Sequence, residues 1–171
     1  MLKIGLYGLG RMGGNMARRL SRTGIQVHAL NRSFAVTEKL AAEETNVVPC
    51  QSAREMVDSL AAPRIVWLML PAGAATEAAI DELAGLLQPG DLLVDGANGF
   101  YQEAMRRAGQ LSDKGLHFAD VGVSGGIWGL ANGYCLMAGG ADADIARLTP
   151  YLQALAPTPD SGWLHAGPAG S

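Results

Sequence analysis

Along the chain, short unbroken apolar runs alternate with longer stretches in which apolar positions recur every three or four residues. The runs predict strands at Lys3–Tyr7, Gln26–Leu30, Val47–Cys50, Ile65–Leu70, Leu92–Asp95 and His117–Val121. The helical spacing predicts helices over Met12–Arg22, Ala35–Glu43, Ala53–Leu60, Ala75–Leu87 and Tyr101–Lys114. Ser52 with Glu55 three residues on forms a capping box, and Thr76 followed by Asp81 and Glu82 puts acid near a positive helix end. The strand runs are apolar throughout rather than alternating, which marks strands buried on both faces. The order strand–helix–strand–helix then predicts an α/β fold, a doubly wound, mostly parallel sheet with right-handed crossovers. No repeat, low-complexity tract or linker interrupts the pattern across residues 1–171, which reads as one domain.

After Val121 the pattern changes to "GVSGGIWGLANGYCLMAGG", Gly122 to Gly140. A glycine-rich loop leads to a strand at Tyr134–Met137, then to a helix over Ala141–Leu155. Pro150 within that helix predicts a kink or break near Thr149, and "GWLHAGP" predicts a short closing strand. A composition of 49% hydrophobic and 17% charged residues is that of a globular protein. The net charge of −3 provides no broad basic surface, which argues against nucleic acid and anionic membrane as partners. Met1 runs directly into a strand without a signal sequence, and Ile65–Leu70, the most apolar stretch, is too short to span a bilayer. Cys50 and Cys135 lie in or beside apolar runs, without metal-ligand spacing, and are expected as buried reduced thiols of a cytoplasmic protein.

The first candidate site is "KIGLYGLGRMGGNMARRL", Lys3 to Leu20. Gly8, Gly10 and Gly13 form a G-x-G-x-x-G between a strand and a helix, in the setting that distinguishes a dinucleotide site from a simple turn. The first glycine permits a tight turn, the second lets a pyrophosphate approach the backbone, and the third lets helix and strand pack closely. The phosphates are expected on the N–H groups of Leu9, Gly10, Arg11 and Met12, at the positive helix end. At the end of the second strand, an NAD-specific site carries an acidic residue for the ribose. Here stand Asn31, Arg32 and Ser33. A 2′-phosphate would meet no carboxylate, Arg32 can pair with it, and Ser33 can donate to it. NADP is the expected cofactor, with NAD as the alternative; Arg32 as a merely solvated cation is the competing reading.

With "VDGANGFYQEAMRRA", Val94 to Ala108, and "DVGVSGGIWGLANGYCLMAGG", Asp120 to Gly140, the chain resembles the N-terminal Rossmann-type coenzyme domain of 6-phosphogluconate dehydrogenase, in its short bacterial form. The wider relatives are the β-hydroxyacid dehydrogenases. The resemblance implies that Asn98, Ser124, Gly125 and Gly126 contact a sugar-acid phosphate substrate, Asn98 also touching the nicotinamide. It further implies that Leu70, Pro71 and Ala72 of the "LMLPAG" segment form an apolar floor under the nicotinamide ring. From the residues alone, Asn98 is equally a turn residue and the Gly-Gly pair a sharp turn. The family usually has Gly-Gly-Asn-Ser where this chain has Gly96-Ala97-Asn98-Gly99.

Oxidising a secondary alcohol by hydride transfer needs a base for the hydroxyl proton. In the family that base is a lysine on a helix beyond the coenzyme domain, and no position here matches it. His28, His117 and His165 read as core or surface histidines, and Lys3, Lys39 and Lys114 fall away from the strand ends where ligands sit. The expectation is therefore a coenzyme domain without its helical partner domain, with no catalytic residue in these 171 positions and no metal. Such a chain binds cofactor without turnover and is a monomer, whereas the complete enzyme is a homo-oligomer. The competing functions are a 3-hydroxyisobutyrate-type dehydrogenase and a standalone, non-catalytic nucleotide-binding module.

Overall fold

The computed structural model describes all 171 residues. In chain order the elements are β1 (Lys3–Tyr7), α1 (Arg11–Arg22), β2 (Gln26–Leu30), α2 (Phe34–Glu43), β3 (Val47–Cys50), α3 (Ala53–Asp58), β4 (Ile65–Leu68) and α4 (Ala74–Ala84). There follow β5 (Leu92–Asp95), α5 (Tyr101–Ser112), β6 (His117–Ser124), α6 (Gly129–Asn132), β7 (Cys135–Gly139), α7 (Asp142–Leu155) and β8 (Trp163–Gly167). They form one eight-stranded sheet in the order β3-β2-β1-β4-β5-β6-β7-β8. Strands β1 to β6 are parallel, β7 runs antiparallel to β6, and β8 is parallel to β7.

Neighbouring side chains on one strand serve opposite faces of the sheet, which accounts for the uninterrupted apolar runs. Ile65, Trp67, Leu92 and Val94 join α1 and α7 in one core through Met16, Leu20, Leu148 and Leu152. Val66, Leu68 and Leu93 join α3, α4 and α5 in the other through Met56, Leu83 and Leu111. The doubly wound, mostly parallel architecture is therefore as the sequence predicts.

Several boundaries shift for local reasons. β4 stops at Leu68, two residues early, although Met69 N–H still donates to Tyr7 O at 2.8 Å. β6 continues to Ser124 because β7 returns antiparallel against it, pairing Ser124 with Cys135. The glycine-rich loop contains a short 3₁₀ turn at Gly126–Trp128 and the single turn α6, neither of which its composition announces. Thr76 lies inside α4 rather than starting it: its Oγ1 donates to Pro71 O at 2.8 Å, and the acid of the first turn is Glu77. The capping box holds at α3, where Ser52 Oγ accepts from Glu55 N–H at 3.1 Å. The break expected near Thr149 does not occur. α7 runs unbroken through Pro150 because buried Ile145 and Leu148 before it, and Tyr151 and Leu152 after it, anchor both halves.

Both cysteines are free. Cys50 is buried, and burial with Glu55 nearby pushes its thiol up to about 11. Cys135 corrects the expectation of two buried thiols: the alternation along β7 turns Leu136 inward and leaves Cys135 exposed. No helix is long and apolar enough to cross a membrane.

His28 is buried in β2, its ring nitrogens 2.7 Å from Ser59 Oγ and 3.0 Å from Gln26 Oε1. Burial, with a smaller effect of Lys3, holds its pKa below the ordinary value. As pH falls through about 6.5, the unfolded chain takes up a proton that the folded chain refuses, so stability declines on that limb. Urea melts across this range are expected to show the decline, and His28→Gln is expected to flatten it whatever its stability at neutral pH.

Candidate functional site

In a parallel sheet, ligands sit beyond the carboxyl ends of the strands, where the strand order reverses. Here that point lies between β1 and β4. Five loops line the same edge: 8–13 after β1, 31–33 after β2, 69–73 after β4, 96–99 after β5 and 124–126 after β6.

The three glycines of the first loop obey different constraints. Gly8 has φ +104°, and a Cβ there would overlap Met69 O. A Cβ on Gly13 would overlap Gly8 O and press on Met69 Cβ at 3.1 Å, so glycine is what lets α1 approach the sheet. Gly10 has φ −63° and ψ −170°, which any residue adopts, and a Cβ there would meet nothing within 4 Å. Packing of the chain does not require glycine at that position, whereas a ligand lying on the backbone does. No side chain caps α1, whose first helical bond is Gly14 N–H to Gly10 O at 2.8 Å. The donors of the first turn thus face open space at the positive end of the helix, a setting that fits a pyrophosphate.

The placement of Leu9 and Asn31 corrects part of the expected donor set. Leu9 N–H is taken by Asn31 Oδ1 at 3.0 Å, so the free donors begin at Gly10 and continue through Arg11 and Met12. Asn31 Nδ2 donates to Ser33 O at 3.3 Å. The Asn31 side-chain carbonyl therefore ties its loop to the glycine loop, its amide braces the 31–33 turn, and one amide N–H remains open at the ribose end. Arg32 and Ser33 are exposed, and neither side chain makes a hydrogen bond or ion pair within the chain. That leaves a cation and a hydroxyl open at the end of β2.

The 69–73 loop packs beside the glycine loop, with Leu70 half-buried and Pro71 and Ala72 exposed. Ala72 Cβ lies 4.0 Å from where a Cβ on Gly99 would stand, which brings in the fourth loop. There Asn98 has φ 54°, a left-handed conformation that asparagine tolerates better than most residues. Its Oδ1 accepts from Val123 N–H at 2.9 Å, and its Nδ2 donates to Val123 O at 3.0 Å. The side chain is a clamp from the β5 loop to β6, and one amide N–H remains for a ligand. Ser124 ends β6 exposed, and Gly125 and Gly126 turn the chain away with φ of 154° and 50°.

Underneath, Arg107 is buried and bridges Asp95 Oδ2 at 2.9 Å to Glu77 Oε2 at 2.8 Å, joining the bases of the β4 and β5 loops. A cavity of 290 Å³ opens behind Asn98, lined by Asp95, Tyr101, Asp120 and Met137 among others. Burial pushes the Asp120 carboxyl above its ordinary value, although Gly170 N–H donates to it at 2.7 Å. Sequence reasoning did not single out Arg107 or Asp120. Their signal was only an arginine on a helix and an aspartate within a strand.

The histidines and lysines lie elsewhere. His117 begins β6 with Nδ1 2.8 Å from Asp144 Oδ1, and His165 Nε2 donates to Gly140 O at 2.9 Å. Both line the largest cavity, 620 Å³, which is at the far end of the sheet from the glycine loop. Lys3 starts β1, Lys39 is on α2, and Lys114 follows α5.

The family pattern for the NAD binding domain of 6-phosphogluconate dehydrogenase matches residues 3–162. The chain belongs to that family. Its relatives include the decarboxylating 6-phosphogluconate dehydrogenase of Klebsiella pneumoniae, 39% identical over 94% of this chain and 35% of that protein. The Synechococcus elongatus enzyme of the same name is 37% identical over 99% of this chain and 37% of its own length. The chain thus spans just over a third of the 6-phosphogluconate dehydrogenases it matches. Among solved structures, the Plasmodium falciparum 6-phosphogluconate dehydrogenase superposes with a TM-score of 0.90 at 27% identity, covering 98% of this chain and 37% of that one. The 3-hydroxyisobutyrate dehydrogenase of Mycobacterium tuberculosis superposes at 0.85, also at 27% identity, over 99% of this chain and 56% of that one. The matched range, residues 3–162, includes all five loops.

Proposed function

We propose that residues 1–171 form the NADP-binding domain of a 6-phosphogluconate dehydrogenase, acting in the cytoplasm on a sugar-acid phosphate. The observation that carries the coenzyme half is the open space at Gly10 before an uncapped helix, beside the unpaired Arg32. Gly10, Arg11 and Met12 hold the pyrophosphate, and Arg32 and Ser33 hold the 2′-phosphate. Leu70, Pro71 and Ala72 face the nicotinamide. Asn98, Ser124, Gly125 and Gly126 orient the sugar acid. The Plasmodium falciparum relative, described with NADP⁺ and with 6-phosphogluconate, supports both assignments. Two free thiols suit a reducing compartment.

When bound, NADP supplies the hydride acceptor for oxidation of the 3-hydroxyl, which precedes loss of carbon dioxide and formation of a pentulose phosphate. Residues of this chain position the alcohol. The base that takes the hydroxyl proton belongs to a partner domain outside these residues, since no lysine or histidine here reaches the five-loop edge. The test is turnover by the full-length protein with NADP and either 6-phosphogluconate or 3-hydroxyisobutyrate, following NADPH and carbon dioxide. Carbon dioxide release from 6-phosphogluconate supports the reading, turnover of 3-hydroxyisobutyrate alone replaces it, and coenzyme binding without either favours a nucleotide-binding module.

A further inference from the structure

The loop carrying Ser124, Gly125 and Gly126 is long, glycine-rich and exposed at its tip, where Ile127 and Trp128 lie open to solvent. Its start is held by the Asn98 clamp on Val123. Its far end is held by a residue in a different part of the chain. Arg19, on the last turns of α1, donates from Nη1 to Leu130 O of α6 at 3.2 Å. The same guanidinium donates from Nε to Ala154 O at 3.1 Å and from Nη2 to Ala156 O at 2.6 Å. Those two carbonyls close the C-terminal end of α7, where a cation also meets the negative helix end. That helix end in turn accepts Tyr134 N–H at Leu155 O, 2.9 Å. The Tyr134 ring is fully buried beneath Gly125 and Gly129, either of which would overlap or crowd it if it bore a Cβ.

We infer that Arg19 is a positioning residue for the sugar-acid side of the site, resting on the reading of 124–126 as substrate-binding residues. The planar fork of one guanidinium joins three elements: the helix that carries the coenzyme at its other end, the loop helix α6, and the end of α7. Lysine cannot reproduce this, because it offers one compact donor centre in place of three directed ones. Arg19 itself touches no ligand, since it sits about two and a half turns along α1 from Gly10, and its effect passes through the backbone at Leu130. Loss of the fork frees the loop between Gly125 and Gly133 while leaving the first turn of α1 intact.

The test compares Arg19→Met, which keeps the apolar stem, and Arg19→Lys in the full-length protein. Amide hydrogen exchange is expected to rise about tenfold or more over 125–133 in Arg19→Met, with residues 10–14 unchanged. KM for 6-phosphogluconate is expected to rise about tenfold, below the roughly hundredfold that an ångström of misplacement can cost. NADP affinity is expected to stay within about twofold, because the contacts at the helix start are untouched. If Arg19→Met does not fold, Arg19→Lys carries the same measurements, with the same signs expected. Loop exchange at the wild-type rate overturns the inference, as does a parallel loss of NADP and sugar-acid affinity. Absence of wild-type turnover with 6-phosphogluconate counts against the proposed function alone, and the exchange measurement still decides the role of Arg19.

Discussion

Gly10→Val is expected to fold normally and to lose dinucleotide binding. A side chain at position 10 meets no atom of the protein within 4 Å, and the backbone there is extended, so valine adds no internal strain. It does project its methyl groups into the space before α1, where a pyrophosphate would meet the first-turn donors. Losing two charge-assisted hydrogen bonds of ~1.5–3 kcal/mol each predicts a fall in affinity of about a hundredfold or more, for NADP and NAD alike. Calorimetric titration and a thermal melt on the same sample check both halves. Gly13→Val provides the contrast: its Cβ overlaps Gly8 O, so the expected cost falls on stability, about 3 kcal/mol or more. If both variants melt early, the glycines at 10 and 13 serve the turn alike, and the ligand argument at Gly10 fails.

Arg32→Ala is expected to weaken NADP by roughly ten- to hundredfold and NAD by less than about threefold. The side chain is exposed and has no partner in the chain, so its removal leaves nothing unsatisfied and the melting temperature should hold. The gap between the two coenzymes should narrow as salt is raised, because an exposed cation and a phosphate are screened. Equal losses for both coenzymes would mean that Arg32 is only a solvated loop residue.

The main outlines of this fold are readable in the chain because the central strands β1, β4 and β5 are apolar runs serving both faces, each followed by helical spacing. The glycine loop is readable for a similar reason: three glycines fall at fixed offsets, and the structure shows a positive φ at Gly8, close packing at Gly13 and open space at Gly10. What stayed hidden depends on long-range partners. Nothing in "NRS" says that Asn31 turns back to Leu9, or that Asn98 spends its amide on Val123, twenty-five residues away. Pro150 reads as a break until the burial on either side of it is known. Arg19 is one arginine among several on α1, and only the meeting of α1 with α6 and the end of α7 gives it a role. Local chemistry was legible, whereas contacts between distant segments were not.

The most direct measurement is calorimetric titration of the protein with NADP and with NAD, at one fixed low salt concentration. Saturable binding at one site, at least about tenfold tighter for NADP, is the predicted result, since one charge-assisted pair separates the two ligands. No heat with either, or equal affinity for both, would contradict the assignment of the five-loop edge as an NADP site.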